Sequence, residues 1–309
     1  MSVLFLGGGE NGDAWLRALA AAEPDLEVAT KDRIDDPDGV EYAIVGRIMP
    51  GELAAYPNLA AILSMWAGVE HLLADDTVPV GVPIVRMVEP SLTRGMVEFV
   101  VGHVLSILLR MDGYRRDGAW RHPQRTSPRF APDLPVGIMG MGVLGRACAE
   151  ALVRFDFPVN GFSRRGERVP GVTVYSGREG LAEFLSSSSV VVLLLPRTTE
   201  TESVLNRRTL SMLPAEAAVI NAGRGELIDD DALLEALDAG RLSKAVLDVF
   251  REEPLPATHP YWTHPKVTVT PHIASVTNPR TAAPVLADNL ARLKRGEPAG
   301  PLVDRRRGY

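Results

Sequence analysis

The stretch Val136–Gly145, reading Val-Gly-Ile-Met-Gly-Met-Gly-Val-Leu-Gly, constrains the fold more than any other part of this chain. An apolar strand pattern runs straight into Gly140-x-Gly142-x-x-Gly145, and a helical pattern over Val143–Phe155 follows at once. In a strand–turn–helix that binds a dinucleotide, each glycine has its own task. The first permits the tight turn, the second lets backbone approach a pyrophosphate, and the third lets the helix pack close to the strand. With Val143 and Leu144 they place a helix N-terminus, with its unbonded N–H groups and positive dipole end, against the phosphates. A glycine triplet alone also describes an ordinary turn. The strand before it and the helix after it favour a dinucleotide site.

A second triplet, Gly7-x-Gly9-x-x-Gly12, also follows a strand pattern and precedes a helical one. It carries Glu10, a carboxylate where a pyrophosphate needs positive potential. The segments that bear chemistry all follow the later motif. The first triplet is therefore read as a turn.

At 309 residues the chain exceeds a usual single core. Strand patterns at Val3–Leu6, Leu26–Thr30, Ala43–Val45, Ala61–Ser64 and Ile84–Val85 alternate with helix-length segments. They are followed by a long helix over Ser91–Arg110, with Tyr114–Trp120 as a possible extension and Arg121–Pro135 as a loop. From Val136 the alternation resumes, with strands at Val159–Phe162, Val190–Leu195, Ala218–Asn221, Ala245–Val249 and Val267–Thr270. Leu181–Ser186, Asn206–Met212 and Asp229–Ala239 form the helices between them, and a last helix runs over Arg280–Arg295. This predicts an α/β protein of two doubly wound parallel-sheet domains. A Rossmann dinucleotide-binding domain, residues 93–278, is inserted in a flavodoxin-like substrate-binding domain, residues 1–92 and 279–309.

Net charge −6, with 46% apolar and 23% charged residues, argues against a nucleic-acid or membrane-surface partner. No uninterrupted apolar stretch spans a bilayer. The only cysteine, Cys148, cannot form an intrachain disulfide. A cytoplasmic enzyme is the expectation.

An NAD site usually carries a carboxylate at the end of the second strand, for the ribose 2′-hydroxyl. Here Val159–Phe162 ends in Ser163-Arg164-Arg165, and no carboxylate follows until Glu167. Guanidinium groups bind a 2′-phosphate bidentately and stay charged, so NADPH is preferred, with NAD possible.

Three stretches follow predicted strands of the second domain, at the ends where such sheets place ligands. They are Asn221–Gly225, Leu247–Pro254 and Thr270–Ser275. Together they bring a fixed cation, Arg224, a carboxylate, Glu253, and an imidazole, His272. Reduction of a 2-oxo acid needs such a set: the carbonyl polarised, the carboxylate held, and a proton delivered as hydride arrives.

With these motifs in order, the chain resembles the D-2-hydroxyacid dehydrogenase family from Ala61 to the C-terminus, and within it the bacterial glyoxylate/hydroxypyruvate reductase A group. LDVFREEPLP over Leu247–Pro256, Trp262-x-His264-Pro265, the TPHIAS run and the ending Val-Asp-Arg-Arg-Arg-Gly-Tyr carry the likeness. The resemblance implies that Arg224 orients the substrate and polarises its carbonyl. His272 is then the acid in reduction, and Glu253 pairs with it and favours its protonated form. Asp248 matches the residue that holds the nicotinamide carboxamide. The Ser64–Val69 loop matches one whose backbone binds the substrate carboxylate, through Ala67 and Gly68, although Glu70 stands where the family usually has Asp. Trp66 is read as a wall of the pocket and Arg47 as a side chain that can reach an acidic substrate. Pro196, Thr201, Ala222, Gly223 and Ala274 border the cofactor. The implied site lies in the cleft between the domains, and the implied assembly is a homodimer. No His, Cys or carboxylate spacing suggests a metal. Two alternatives remain open: a dehydrogenase for a bulkier 2-oxo acid, and a dinucleotide-sensing protein like the corepressor relatives of the family.

Overall fold

The computed structural model of the chain describes residues 2–7, 9–111, 129–164 and 166–308. The chain divides into two compact units, Met1–Leu92 with Thr277–Tyr309, and Thr93–Val276.

The first unit holds β1 (Ser2–Leu6), β2 (Val28–Thr30), β3 (Val40–Val45), β4 (Ala61–Ser64) and β5 (Ile84–Val85) in one parallel sheet, ordered β2-β1-β3-β4-β5. Every side chain of β4 is buried, as in a parallel strand covered on both faces. Helix α1 (Gly12–Ala22) follows β1 through a short turn. Gly7 sits at φ 106°, and a Cβ there would lie 2.9 Å from the backbone nitrogen of Gly46, just past β3. Backbone approach within this unit thus accounts for the first glycine of the early triplet. Helix α2 (Glu70–Leu73) is a single turn after β4.

Helix α3 (Pro90–Leu108) crosses the division between the units. By length and composition it could cross a membrane. Its Met96, Val100 and Val104, however, are buried with strand residues Val136, Ile138 and Val192 in a core of the second unit. His103, on the same helix, lies edge-on to Phe99 at 4.4 Å. The suggested extension over Tyr114–Trp120, and the loop after it as far as 128, lie outside the described residues.

The second unit contains β6 (Val136–Met139), α4 (Val143–Arg154), β7 (Val159–Phe162), β8 (Val172–Tyr175), α5 (Gly177–Ser186) and β9 (Val190–Leu193). It continues with α6 (Arg207–Leu210), β10 (Ala217–Asn221), α7 (Asp230–Asp238), β11 (Leu242–Leu247) and β12 (Val267–Val269). Its seven strands are all parallel, in the order β12-β11-β10-β9-β6-β7-β8. The chain leaves β6 to one side and returns to its other side at β9, so the switch in strand order lies beside β6, where such sheets bind ligands. The two-residue period of β9 feeds two cores. Val190 and Val192 pack with α3 and α4, while Val191 and Leu193 pack with Phe184 of α5 and Leu233 of α7. Burial of each such side chain stabilises by about 1.5–3 kcal/mol.

Helix α8 (Pro279–Lys294) returns to the first unit, where Ala283, Leu286 and Leu290 pack with Trp15 and Leu19 of α1. Both sheets are thus parallel and helix-covered, the expected architecture.

Several local expectations differ from the structure, among them the start of α5, which lies four residues before Leu181. Strand β8 was not anticipated, because its residues, none of them buried, follow a stretch broken by Gly166, Pro170 and Gly171. The helix expected over Asn206–Met212 is one turn, Arg207–Leu210, with Asn206 outside it as a cap that accepts from the amides of Arg208 and Thr209. Likewise Asp229 does not begin α7 but caps it, accepting from Ala232 N–H.

Cys148 is buried in α4, and burial pushes its thiol up to about 12. The native protein at pH 8 should therefore leave an aromatic disulfide reagent unreacted, and one thiol should appear on unfolding in urea. Rapid reaction of the folded protein would contradict this packing.

Candidate active site

The turn after β6 shows a separate reason for each glycine. Gly140 lies at φ 114°, and a Cβ on it would stand 2.7 Å from the carbonyl oxygen of Leu194. A Cβ on Gly145 would collide with the carbonyl of Gly140, so α4 can pack close only without a side chain there. A Cβ on Gly142 would meet nothing within 4 Å, so this side of the turn is open. Gly142 is also the N-cap of the twelve-residue α4 and offers no side-chain cap. An open turn and N–H groups without a side-chain cap fit a pyrophosphate. Val143 is exposed in the first turn, and Leu144 packs partly into the core.

At the end of β7, the Ser163 hydroxyl accepts from Gly166 N–H at 3.1 Å, which closes the loop that exposes Arg164. Arg165 lies outside the described residues. Glu167, the first carboxylate after the strand, is ion-paired with Arg146. The β7 end therefore presents a cation where an NAD site would present an acid. After β9, the Thr201 hydroxyl donates to the Pro196 carbonyl at 2.7 Å and so ties the two bordering residues together.

Arg224, Asp248 and His272 follow β10, β11 and β12, three neighbours in one parallel sheet with strands spaced about 4.8 Å apart. Asn221 pins the first of these loops. Its Oδ1 accepts from Gly223 N–H at 3.1 Å, and its Nδ2 donates to the Arg224 carbonyl at 2.8 Å. Ala222 is buried, and a Cβ on Gly223 would lie 2.9 Å from the carbonyl oxygen of Leu195. The Arg224 guanidinium donates to the Gly223 carbonyl at 2.6 Å.

The loop after Arg224 lies directly on the loop after β11. A Cβ on Gly225 would collide with the backbone of Phe250 and Arg251. The Arg251 guanidinium donates to the Ile228 carbonyl at 2.6 Å and to the Ser203 hydroxyl at 2.8 Å. Sequence reasoning passed over Arg251. The carbonyls it serves belong to a loop some 23 residues earlier, and no spacing rule links the two.

Asp248 organises the third loop. It is 1% exposed, and its Oδ1 accepts from the Thr270 hydroxyl at 2.6 Å and from Ile273 N–H at 2.8 Å. Its Oδ2 accepts from Ala274 N–H at 2.9 Å, and its backbone carbonyl accepts from His272 N–H at 2.9 Å. His272 itself lies at φ 55°, a left-handed conformation that an imidazole residue adopts only when its surroundings enforce it. The Asp248 contacts on either side supply that enforcement. A carboxylate has about four acceptor sites, and three are used here.

On this turn, His272 Nδ1 lies 2.8 Å from Glu253 Oε2, and Glu253 Oε1 accepts from Phe250 N–H at 2.9 Å. The imidazole is half exposed and the carboxylate about a third. Such a pair contributes only about 0–1 kcal/mol to stability. Its effect is orientation: the contact fixes the ring through Nδ1 and leaves Nε2 on the side away from Glu253.

Trp66, Ala67 and Gly68 belong to the first unit, in the loop after β4. The Ser64 hydroxyl accepts from Trp66 N–H at 3.1 Å and donates to the Trp66 carbonyl at 2.9 Å. The indole lies 5.4 Å from the His71 ring, whose Nε2 is 3.1 Å from the Gly46 carbonyl oxygen. Burial lowers the His71 pKa.

Asp248→Asn keeps the shape but removes an acceptor and brings an NH2 group toward amide donors. It should destabilise the protein by about 1–3 kcal/mol, read as a lower urea midpoint. A midpoint equal to that of the unsubstituted protein would contradict the role given to this carboxylate.

Comparison with known proteins identifies the family. Residues 101–274 match the NAD-binding domain of the D-isomer specific 2-hydroxyacid dehydrogenases. The whole chain is 36% identical to the whole of glyoxylate/hydroxypyruvate reductase A from Yersinia enterocolitica. A D-isomer specific 2-hydroxyacid dehydrogenase from Xanthobacter autotrophicus, solved with NADPH and MES, superposes with a TM-score of 0.95 at 39% identity, covering 100% of this chain and 99% of the other. An NADPH-dependent glyoxylate/hydroxypyruvate reductase from Sinorhizobium meliloti, solved with NADP and sulfate, superposes at 0.92 with 35% identity and the same coverage. This chain belongs to the D-isomer specific 2-hydroxyacid dehydrogenase family and is an NAD(P)-dependent oxidoreductase of 2-hydroxy acids.

Proposed function

We propose that the protein reduces glyoxylate and hydroxypyruvate to the corresponding 2-hydroxy acids with NADPH, and that His272 is the proton donor. The observation that carries this reading is the His272–Glu253 pair, half exposed on a constrained turn at the end of β12. The glycine turn after β6 and the N-terminus of α4 would hold the pyrophosphate, Arg164 the 2′-phosphate, and Asp248 and Ala274 the nicotinamide side. NADPH, when bound, supplies the hydride that ends on the carbonyl carbon. Arg224 holds the substrate carboxylate and draws charge toward the carbonyl oxygen. His272 Nε2 gives its proton to that oxygen as the C–H bond forms, while Glu253 holds Nδ1 and fixes the orientation of the ring. In the first unit, the loop after β4 offers backbone donors at Ala67 and Gly68 that suit a carboxylate.

The choice of substrates draws on the names of the full-length relatives, and the choice of NADPH on Arg164 and the two cofactor-bound structures. The same reading takes the protein as a cytoplasmic homodimer with residues 1–92 and 279–309 as its substrate-binding domain. Leu109 and Met111, exposed just past the end of α3, support burial against a second copy.

Following NADPH absorbance with glyoxylate, hydroxypyruvate and longer 2-oxo acids tests the activity, and turnover should be fastest with the two short acids. Absence of turnover with every acid would favour a sensing role. Arg164→Ala should raise KM for NADPH by about 10- to 100-fold, the equivalent of one charge-assisted contact, with little change for NADH. His272→Asn should lower kcat by about 10²- to 10⁴-fold and leave NADPH affinity unchanged. Near-normal kcat would remove His272 as the donor.

A further inference from the structure

Glu253 stands in the irregular stretch between β11 and β12, residues 248–266, whose regular structure is one 3-10 turn, Pro260–Trp262. Connections longer than about 12–15 residues without structure of their own are uncommon in compact domains. A side chain on such a stretch keeps its direction only where outside contacts fix the backbone. Two of those contacts meet on one carboxylate, that of Asp230 in the first turn of α7. Its Oδ1 accepts from the Tyr261 hydroxyl at 2.8 Å, and its Oδ2 lies 3.9 Å from Arg251 Nε. Tyr261 is buried in the core that holds Leu233 and Leu237 of α7, and burial raises its pKa, so the hydroxyl stays a donor. The Phe250 ring lies 6.4 Å from the Tyr261 ring. The chain on either side of Glu253 thus returns to one place.

We propose that Arg251 is a positioning residue for the reduction, acting through Glu253 on His272, a role that rests on the reading of His272 as the proton donor. Arg251 Nε and Nη2 donate to the Ile228 carbonyl at 3.1 and 2.6 Å. Nη2 also donates to the Glu226 carbonyl at 3.3 Å and to the Ser203 hydroxyl at 2.8 Å. Bonds from a charged donor are stronger than neutral ones, and the planar fork reaches several acceptors at once. Those acceptors are held from elsewhere. Leu205 N–H donates to the Leu227 carbonyl at 3.0 Å and Asp229 N–H to the Leu205 carbonyl at 2.9 Å, which seats Ile228 as a bridge partner of Leu205. On the residue before Arg251, Phe250 N–H donates to Glu253 Oε1 at 2.9 Å, which leaves Oε2 to His272 at 2.8 Å. The His272 backbone is set by Asp248 and the Arg224 turn by Asn221. Glu253 is therefore the member of the site that Arg251 sets. A misplacement of about 1 Å can cost on the order of 100-fold in rate.

Turnover of the fastest 2-oxo acid with NADPH is compared in the unsubstituted protein, Arg251→Ala, Glu253→Ala and the double variant. Arg251→Ala should lower kcat by about 10- to 100-fold and leave NADPH affinity unchanged, since β6 stands two strands from β10. In the double variant the two losses should not multiply, because Arg251 has nothing left to position once the Glu253 carboxylate is gone. An unchanged kcat in Arg251→Ala, or losses that multiply, overturns the role of Arg251 while a fall in Glu253→Ala keeps the reading of the pair. An unchanged kcat in Glu253→Ala removes the pair from the reaction, and the role of Arg251 with it. Should Arg251→Ala not fold, Arg251→Lys takes its place in the cycle under the same outcomes. Amide hydrogen exchange over residues 249–256 gives a readout independent of turnover. It should be severalfold faster in the Arg251 variant, with residues 136–146 unaffected as a control. Equal exchange over 249–256 also overturns the role.

Discussion

The buried carboxylate of Asp248 is the contact on which the C-terminal edge of the second unit depends. Four hydrogen bonds join this residue to the stretch from Thr270 to Ala274, three to the side chain and one to the backbone carbonyl. Between those anchors His272 takes a left-handed conformation that an isolated chain would rarely populate. The anion is taken out of water at a cost, offset by hydrogen-bond donors on both oxygens. What results is an imidazole with a fixed backbone and a fixed partner, Glu253. The pair adds little to stability; its value lies in preorganisation.

The same logic extends across the sheet edge. Asn221 fixes the backbone that presents Arg224, and Arg251 ties the following loop to the segment that carries Glu253. Gly225 lets the two loops lie in backbone contact. Three adjacent parallel strands therefore carry a cation, a buried acid and an acid–imidazole pair past the same edge of the sheet. The glycine turn after β6 stands on the same edge, at the switch in strand order.

Much of this was legible in the sequence, for identifiable reasons. The glycine motif announces itself because three positions of one turn each exclude a side chain. The places of Arg224, Asp248 and His272 past the ends of β10, β11 and β12 are legible because apolar strand patterns run directly into these stretches. What could not be read was long-range and polar. The donors to Asp248 lie 22 to 26 residues away, and the carbonyls that hold Arg251 lie 23 residues earlier. Strand β8 was hidden by the glycines and proline before it. The early glycine triplet mimics a phosphate loop, yet its first glycine answers to contact with Gly46. Composition cannot separate those two demands on a glycine.

The account turns on whether the array at the ends of β10, β11 and β12 meets the reacting carbonyl. A crystal structure of the protein with NADP⁺ and oxamate, an unreactive mimic of a 2-oxo acid, tests this directly. It should show His272 Nε2 and the Arg224 guanidinium within hydrogen-bond distance of the oxamate oxygens, with Glu253 still on Nδ1 and His272 still at positive φ. Oxamate bound beside the nicotinamide with neither His272 nor Arg224 in contact would contradict it.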